Sequence, residues 1–218
     1  MTLMITRSKD IDVRGLYALK PWYTRQLSSI VRTAETRQVS PDVFTAVGVA
    51  AAAAAAVALW QGWWVLAGLL LATRLAGANL DGAVARARGV SRPWGFVLNE
   101  LGDRTSDLLM FAGLVALGYR AAADDDRLGV VTAVLVAAVA ATLPTFAALS
   151  AAGAGAPRRN GGPLGKTERC ALAVLACAQP TWLLAVCAVL VVGSVATAAL
   201  RLKAAAADLG AAARTAIS

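Results

Sequence analysis

The residues that could do chemistry are gathered between positions 75 and 107. This stretch holds three aspartates, a glutamate and four arginines, although the chain as a whole is 58% hydrophobic. Asn99, Asp103 and Asp107 are spaced i, i+4 and i+8, so a helix would carry them on one face. The sequence contains no histidine, which excludes His-based nucleophilic triads and imidazole general bases. Chemistry here must therefore use carboxylates, arginines, hydroxyls and a bound metal ion.

Long apolar segments flank this charged stretch on both sides. Runs of about 18 or more apolar residues can cross the ~30 Å hydrocarbon core of a bilayer, and the alternation typical of a barrel strand is absent. The uncharged runs cover residues 43–60, 63–73, 108–119, 128–157 and 170–200. The last run is too long for one untilted span, and Gln179-Pro180 interrupts it, so we divide it into two. The sequence thus predicts an all-α integral membrane protein with six transmembrane helices.

Basic residues alternate from loop to loop along the chain. They are concentrated before the first span, between the second and third, between the fourth and fifth, and after the sixth. The other loops carry almost none, because residues 61–62 and 179–181 are uncharged and residues 120–127 are net acidic. The positive-inside rule therefore predicts a multi-pass protein of the cell membrane with both termini at the cytoplasmic face. This distribution also explains the net charge of +8 without a nucleic-acid partner.

The segment before the first span has the pattern of an amphipathic helix. From residue 21 to residue 38, apolar side chains fall near one helical face and arginines interrupt the other. This helix either lies on the inner leaflet or packs on the protein's own cytoplasmic face. Ser40-Pro41-Asp42 then starts the first span, with serine as the N-cap and proline at N1. We therefore divide the chain into a cytoplasmic N-terminal segment 1–40, a six-span domain 41–203 and a cytoplasmic tail 204–218.

Small and sulfur-bearing residues in the apolar runs are predicted to pack and not to react. Residues 50–56 are all alanine, and small side chains let transmembrane helices approach closely. Cys170, Cys177 and Cys187 lie in apolar helix without a CxxC pair. We interpret them as buried small hydrophobes rather than as disulfides or metal ligands.

Seven residues of the charged stretch keep the spacing of a known signature: Asp81, Gly82, Ala85, Arg86, Gly95, Asn99 and Asp103. This pattern closely resembles the signature of the CDP-alcohol phosphotransferase family, also called CDP-alcohol phosphatidyltransferases. Residues 39–49, 102–113 and 166–169 further resemble the actinobacterial phosphatidylinositol-phosphate synthases of that family, and so does Arg201-Leu202. The resemblance covers roughly residues 25–203, and a signature this long is highly specific for the family.

The resemblance implies a fold, a reaction and a site. Members of the family are six-span membrane enzymes, typically homodimers, that move a phosphatidyl-type group from a CDP-linked lipid to an alcohol and release CMP. Divalent cations, Mg²⁺ or Mn²⁺, neutralise the diphosphate. By position, Asp103 would be the catalytic base, and Asp81, Asn99 and Asp103 would be the metal ligands. The other family positions imply nucleotide contacts at Gly82, Ala85, Arg86 and Gly95, and acceptor contacts at Arg201 and Asp107.

The sequence also departs from the family pattern. The signature has four aspartates that hold two cations, but two of those positions are Ala78 and Asn99 here, so we expect one cation. The inositol-phosphate branch places basic residues at the end of the fourth span to hold the acceptor's phosphate. Residues 146–156 contain none, which indicates an acceptor other than inositol phosphate.

These departures leave two hypotheses open. One is a divergent transferase of phospholipid biosynthesis that acts on a CDP-lipid at the cytoplasmic face. The other is a pseudoenzyme that keeps the fold and binds a CDP-lipid or an active paralogue. A structural explanation of the acidic residues is a further alternative, in which Asp81 pairs with Arg86 and Asp103 pairs with a nearby arginine only to neutralise charge.

Overall fold

The computed structural model describes residues 25–217, without the side chains of 213 and 215–217. The predicted amphipathic helix begins at residue 21, so its first turn lies outside the described residues. The described part is helical throughout and contains no strand. Its helices are α1 (Ser28–Thr36), α2 (Pro41–Gln61), α3 (Trp64–Ala87), α4 (Pro93–Ala121), α5 (Arg127–Ala140), α6 (Leu143–Gly153), α7 (Lys166–Ala178) and α8 (Leu183–Ile217).

Three helical stretches are long and apolar enough to cross a membrane. They are Pro41–Gln61, Asp124–Gly153 and Pro180–Ala212. The chain is therefore an all-helical protein with the composition of a membrane protein. Helix α7 has only 13 residues, which corresponds to about 20 Å of helix.

Helix ends follow the local signals in the sequence. At the start of α2, the Ser40 side chain accepts a hydrogen bond from the Asp42 backbone N–H at 3.4 Å, and Pro41 occupies the first turn. Helix α7 ends at Ala178, and a 3₁₀ turn at Pro180–Trp182 leads into α8, so the predicted break at Gln179-Pro180 is present. Capping and proline signals therefore predicted both the start of α2 and the end of α7.

Two boundaries differ from the sequence-based division. The apolar run 128–157 is not one helix, because a turn separates α5 from α6 just before Pro144, whose ring lacks an N–H for the preceding turn. Helix α8 continues without interruption from Leu183 to Ile217, so residue 203 is not a break in the backbone. Ala205 is buried on this extension and packs against Ala151 and Ala156.

Helix α2 lies at the centre of the packing and contacts both α3 and α4. The predicted packing role of the alanine run is confirmed, because Ala52 and Ala55 are fully buried. Close contact also depends on glycine: a Cβ at Gly77 of α3 would meet the Phe44 backbone oxygen at 2.5 Å. A Cβ at Gly113 of α4 would likewise meet the Ala56 backbone at 2.7 Å. These approaches bring the charged ends of α3 and α4 against the start of α2.

The helix ends separate into two groups. At one end, the Cys177 thiol lies 3.7 Å from the Leu59 carbonyl oxygen, and Arg120 lies 3.4 Å from the Gln61 side chain. This end therefore collects the uncharged turns between α2 and α3 and between α7 and α8. The opposite end collects the start of α2, the connection between α3 and α4, and the start of α7, and it carries the charged stretch.

Candidate active site

Asp81 lies where α2, α3 and α4 meet. Its side chain is only 6% exposed. One carboxylate oxygen accepts hydrogen bonds from the Thr45 hydroxyl of α2, at 2.9 Å, and from the Asn99 side-chain amide of α4. The other oxygen accepts the backbone N–H of Gly82. Asp81 is thus held by neutral donors from three helices, and its partner is not Arg86.

Asp103 lies one helical turn along α4 from Asn99, but it faces a different partner. The Lys166 ammonium, at the first residue of α7, lies 3.0 and 3.3 Å from the two carboxylate oxygens of Asp103. The Arg74 guanidinium lies 3.9 Å from the Oδ1 oxygen of the same carboxylate. The predicted charge-neutralising partner of Asp103 was an arginine, whereas the closest cation is this lysine from a segment 63 residues away.

The three predicted metal ligands share one small space. Asp81, Asn99 and Asp103 all line a void of about 10 Å³ between α2, α3 and α4. This volume is that of a single small ion or water molecule. The structure therefore brings together the three residues that the sequence grouped as metal ligands.

A larger cavity of about 680 Å³ opens on the other side of Asp81. All four predicted nucleotide-contact residues line it: Gly82, Ala85, Arg86 and Gly95. Arg86 folds back over Gly82, with Nη1 3.2 Å from the place a Cβ would occupy, so an alanine at 82 would press on the guanidinium. We call this space the donor cavity.

Two arginines form contacts at the rim of the donor cavity. Arg88 donates hydrogen bonds to the Val39 carbonyl oxygen at 2.7 Å and to the Gln38 side chain at 2.9 Å. Arg92 forms an ion pair with Asp42. These contacts join the α3–α4 connection to the first turn of α2 and to the two residues 38 and 39 that precede it.

A second cavity of about 380 Å³ lies beside the first. Asp103 and Lys166 line it, and so does Arg201 of α8. Ala78, Asn79 and Asn99 line both cavities, so these three side chains form a common wall. We call this second space the acceptor cavity.

Arg201 reaches the acceptor cavity but is engaged with the backbone. Its guanidinium donates to the Gly161 carbonyl oxygen at 2.9 and 3.1 Å and to the Pro144 carbonyl oxygen at 2.8 Å. These bonds tie α8 to the start of α6 and to the loop between α6 and α7. The predicted acceptor-contact residue therefore lies at the expected place and also shapes the wall of the cavity.

Asp107 does not line either cavity. It is 4% exposed and enclosed by three guanidinium groups. Arg74 and Arg169 each donate to one of its oxygens, at 2.7 and 2.8 Å, and Arg104 lies at 3.1 Å. Arg74 is itself 1% exposed and also donates to the Cys170 sulfur at 3.1 Å. These groups are called the Asp107 cluster below.

The donor set fits one divalent cation better than two. Mg²⁺ and Mn²⁺ take oxygen ligands, and Mg²⁺ is usually held by one or two carboxylates together with substrate phosphates. Asp81 and Asp103 supply two carboxylates, and Asn99 supplies an amide oxygen if its side chain turns over. Within residues 25–217, no group of three or more acidic, cysteine or histidine side chains is placed to hold a metal ion. These oxygen donors fit the expectation of a single ion that also takes ligands from a substrate.

Comparison with known proteins identifies the fold and the family. A family model described as CDP-alcohol phosphatidyltransferase matches residues 38–212. The chain belongs to the CDP-alcohol phosphatidyltransferase family. The predicted family is thereby confirmed, and the matched region contains the whole site from the start of α2 to α8.

Two of the similar proteins are mycobacterial. The chain is 29% identical over 156 residues to a phosphatidylinositol phosphate synthase of Mycolicibacterium smegmatis, covering 70% of this chain and 68% of the relative. It is 33% identical over 131 residues to the enzyme of that name from Mycobacteroides abscessus, covering 60% and 58%.

Solved structures of the Mycobacterium tuberculosis phosphatidylinositol phosphate synthase share the fold. The structure with CDP-DAG bound has a TM-score of 0.69 and 28% identity, covering 83% of this chain and 94% of that chain. The complex with manganese and citrate has a TM-score of 0.67 and 27% identity, covering 81% and 87%. A divalent metal and a CDP-lipid have thus both been seen in a protein of this fold.

Three residues of the site escaped the sequence analysis. Thr45, Arg74 and Lys166 each contact one of the motif aspartates, from positions between 29 and 63 residues away along the chain. Lys166 lies in a segment that resembles the family, but the sequence assigned it no role. Arg74 directly follows the apolar run 63–73, and it was likewise assigned no role. An arginine at the edge of a transmembrane segment was the one signal that could have pointed to a buried acidic partner.

Proposed function

We propose that this protein transfers a phosphatidyl-type group from a CDP-linked lipid to an alcohol, with release of CMP. The observation that carries the proposal is the pair of cavities that meet at a common wall. The donor cavity is lined by the residues that match the family's nucleotide contacts. The acceptor cavity has the Asp103 carboxylate in its wall. A diphosphate held at the wall would therefore lie between the two spaces.

The residues suit the two halves of the reaction. The acceptor's hydroxyl oxygen forms a bond to the phosphorus that carries the lipid, the bond from that phosphorus to the CMP oxygen breaks, and the hydroxyl proton passes to the Asp103 carboxylate. Arg86, whose guanidinium lies in the donor cavity, offers a fixed positive charge to the nucleotide phosphates. One Mg²⁺ or Mn²⁺, held by Asp81, Asp103 and Asn99, would neutralise the diphosphate when bound.

The basic residues of the acceptor cavity are already paired within the protein. Each of them has an internal partner: Arg158 with Glu100, Lys166 with Asp103, Arg104 and Arg169 with Asp107, and Arg201 with backbone carbonyls. An acceptor phosphate would have to compete with all of these partners. We therefore assign Asp107 a structural role, and we keep Arg201 as the residue that shapes the acceptor side.

The proposed topology has six membrane crossings with both termini in the cytoplasm. The grouping of helix ends supports it, since the uncharged turns lie at one end and the charged stretch at the other. Exposed tryptophans at the uncharged end suit a membrane–water interface; they are Trp60, Trp63, Trp64 and Trp182. In this topology the site faces the cytoplasm. We further propose that the protein is a homodimer in the cell membrane, as the resemblance to the family implies. Reporter fusions should place residue 125 outside, and an external C-terminus would refute the six-span count.

The decisive experiment is turnover of a radiolabelled CDP-lipid. Purified full-length protein is incubated with labelled CDP-diacylglycerol, Mn²⁺ and a panel of alcohols, and CMP release is measured. Release that depends on an added alcohol and is lost in Asp103→Asn supports the proposal. Absence of CMP with every acceptor, in protein that still binds the CDP-lipid, refutes it.

A binding protein without turnover is the second candidate. One observation favours it: both motif aspartates already have intramolecular partners, Asp81 with Thr45 and Asn99, and Asp103 with Lys166. Such a protein would keep the donor cavity and hold a CDP-lipid, or assist an active paralogue. The turnover experiment separates the two candidates, because binding without CMP release is the result that this second function requires.

A further inference from the structure

Lys166 is a cation built into the site. Its ammonium contacts both oxygens of Asp103, at 3.0 and 3.3 Å, and its side chain is 28% exposed in the acceptor cavity. The backbone around it is fixed, because the Glu168 carboxylate accepts the Gly165 N–H at 2.9 Å just before α7 begins. The lysine is thus anchored at its backbone, while its head group remains able to leave Asp103.

Asp81 faces donors and not a cation. Three donors reach its carboxylate: the hydroxyl of Thr45, the backbone N–H of Gly82 and the amide of Asn99. In this orientation Asn99 points its NH₂ group, and not its oxygen, at Asp81. An ion that entered the small void would have to displace these donors and turn the Asn99 amide.

The charges around the void decide when a divalent cation can enter. Asp81 and Asp103 bring two negative charges, and Lys166 cancels one of them at contact distance. A lone divalent cation would also approach an ammonium and the Arg74 guanidinium, which lies 3.9 Å from Asp103. The anionic diphosphate of a CDP-lipid changes this balance, since it supplies further oxygen ligands to the ion and a second anionic partner for Lys166.

We propose that Lys166 occupies the cation position on Asp103 in the free protein, so that a divalent cation binds only together with the diphosphate of the CDP-lipid. This proposal rests on the binding of a CDP-lipid, which both functions above share, and not on turnover. Because coupling between two ligands is reciprocal, the cation must strengthen CDP-lipid binding by the same factor as the lipid strengthens cation binding.

The test measures Mn²⁺ binding directly, by electron paramagnetic resonance titration of purified full-length protein in nanodiscs. The natural protein should bind Mn²⁺ at least about tenfold more tightly with CDP-diacylglycerol than without it. Lys166→Met should raise the Mn²⁺ affinity of the free protein at least about tenfold, because a unit charge next to the ion is removed. Lys166→Arg keeps the charge and should bind as weakly as the natural protein.

A matched control changes the net charge elsewhere. Lys203 is exposed on α8, outside both cavities, and Lys203→Met should leave Mn²⁺ affinity unchanged. Thermal unfolding of each variant in the same nanodiscs shows whether it is folded. Ala78→Asp with Asn99→Asp provides a positive arm, because added carboxylates should let the free protein bind Mn²⁺ without the lipid.

Two results would overturn the proposal. One is equal Mn²⁺ affinity with and without CDP-diacylglycerol, and the other is a folded Lys166→Met variant that binds Mn²⁺ no better than the natural protein. Failure of the transferase function gives a different result: coupled binding of Mn²⁺ and CDP-lipid would persist while CMP release stays absent.

Discussion

Asp103 and Asp107 lie one turn apart on α4, but they belong to two acidic centres that are built in opposite ways. At the Asp107 cluster, one buried carboxylate is enclosed by three arginines and reaches neither cavity. At the Asp81–Asp103 centre, two carboxylates face a small void between two large cavities, and their partners are neutral donors and one lysine. The first arrangement leaves no room for a ligand, whereas the second adjoins two cavities that are large enough for one.

The difference shows why charge in an apolar chain is ambiguous evidence of function. Both centres look alike in the sequence, because Asp103 and Asp107 share a helical face and both have arginines nearby. What separates them is enclosure: three guanidinium groups surround Asp107, which lines neither cavity, whereas Asp103 lines the acceptor cavity. A buried carboxylate enclosed by arginines holds helices together, while a carboxylate at a cavity wall is placed to take part in chemistry.

The largest expected effect breaks the enclosed centre. Asp107→Asn leaves the buried guanidinium groups of Arg74 and Arg169 beside a neutral side chain, and removal of one partner from a buried ion pair costs about 3–5 kcal/mol of unfolding free energy. Asp124→Asn is the matched control, since Asp124 pairs with Arg127 at the surface and is 84% exposed. That control should change stability by less than about 1 kcal/mol. Chemical unfolding in detergent measures both, and similar losses in the two variants would show that the cluster is not structural.

Next in size is loss of the proposed base. Asp103→Asn keeps the shape of the side chain but cannot accept the acceptor's proton, and it should lower CMP release by at least about 100-fold. Binding of the CDP-lipid in the absence of a divalent cation should be kept, because the donor cavity is lined by other residues. Asp107→Asn assayed at a temperature where it is folded should retain more activity than Asp103→Asn. The reverse order would exchange the roles assigned to the two centres.

A gain of function sharpens the comparison from the other side. Ala78→Asp with Asn99→Asp adds two carboxylates to the Asp81–Asp103 centre and none to the Asp107 cluster. If missing carboxylates limit the reaction, the double variant should release CMP at least about 100-fold faster, equivalent to about 2.7 kcal/mol in the barrier. Either single variant should gain much less, because the carboxylates act as a unit. A folded double variant without activity would favour the binding function.

The smallest effect concerns the hydrogen bond that joins α2 to α3. Thr45→Val removes the hydroxyl that donates to Asp81 at 2.9 Å, and it should cost about 1 kcal/mol of unfolding free energy. Thr73→Val is the same substitution at a hydroxyl that bonds only to the Leu69 carbonyl of its own helix, and it should cost less. Equal losses in the two variants would mean that the Asp81 contact contributes nothing specific.

The sequence predicted those features that depend on neighbouring residues. Capping and proline signals located the start of α2 and the end of α7, and the four-residue spacing placed Asn99 and Asp103 on one face. Spacing that matches a family signature also grouped the residues that line the donor cavity. The helix ends and the shared face follow from local geometry, whereas the grouping of the donor-cavity residues rests on the resemblance to the family.

Features that depend on which helices meet could not be predicted. Lys166 reaches Asp103, and Thr45 reaches Asp81, only because α2, α3, α4 and α7 converge at one end of the bundle. The turn between α5 and α6 and the extension of α8 beyond residue 203 were missed for a similar reason. Apolar pattern gives the extent of a hydrophobic run, but packing decides where the backbone turns.

The common wall between the two cavities gives the alanine at position 78 a structural role. Ala78 lines both spaces, so the side chain at this position is part of a partition as well as a place for a ligand. A longer side chain at position 78 would separate the donor cavity from the acceptor cavity more completely than the methyl group of alanine does. The residue at position 78 thus affects how the two cavities communicate, and a single elongated molecule with a nucleotide at one end and an alcohol at the other could occupy both at once.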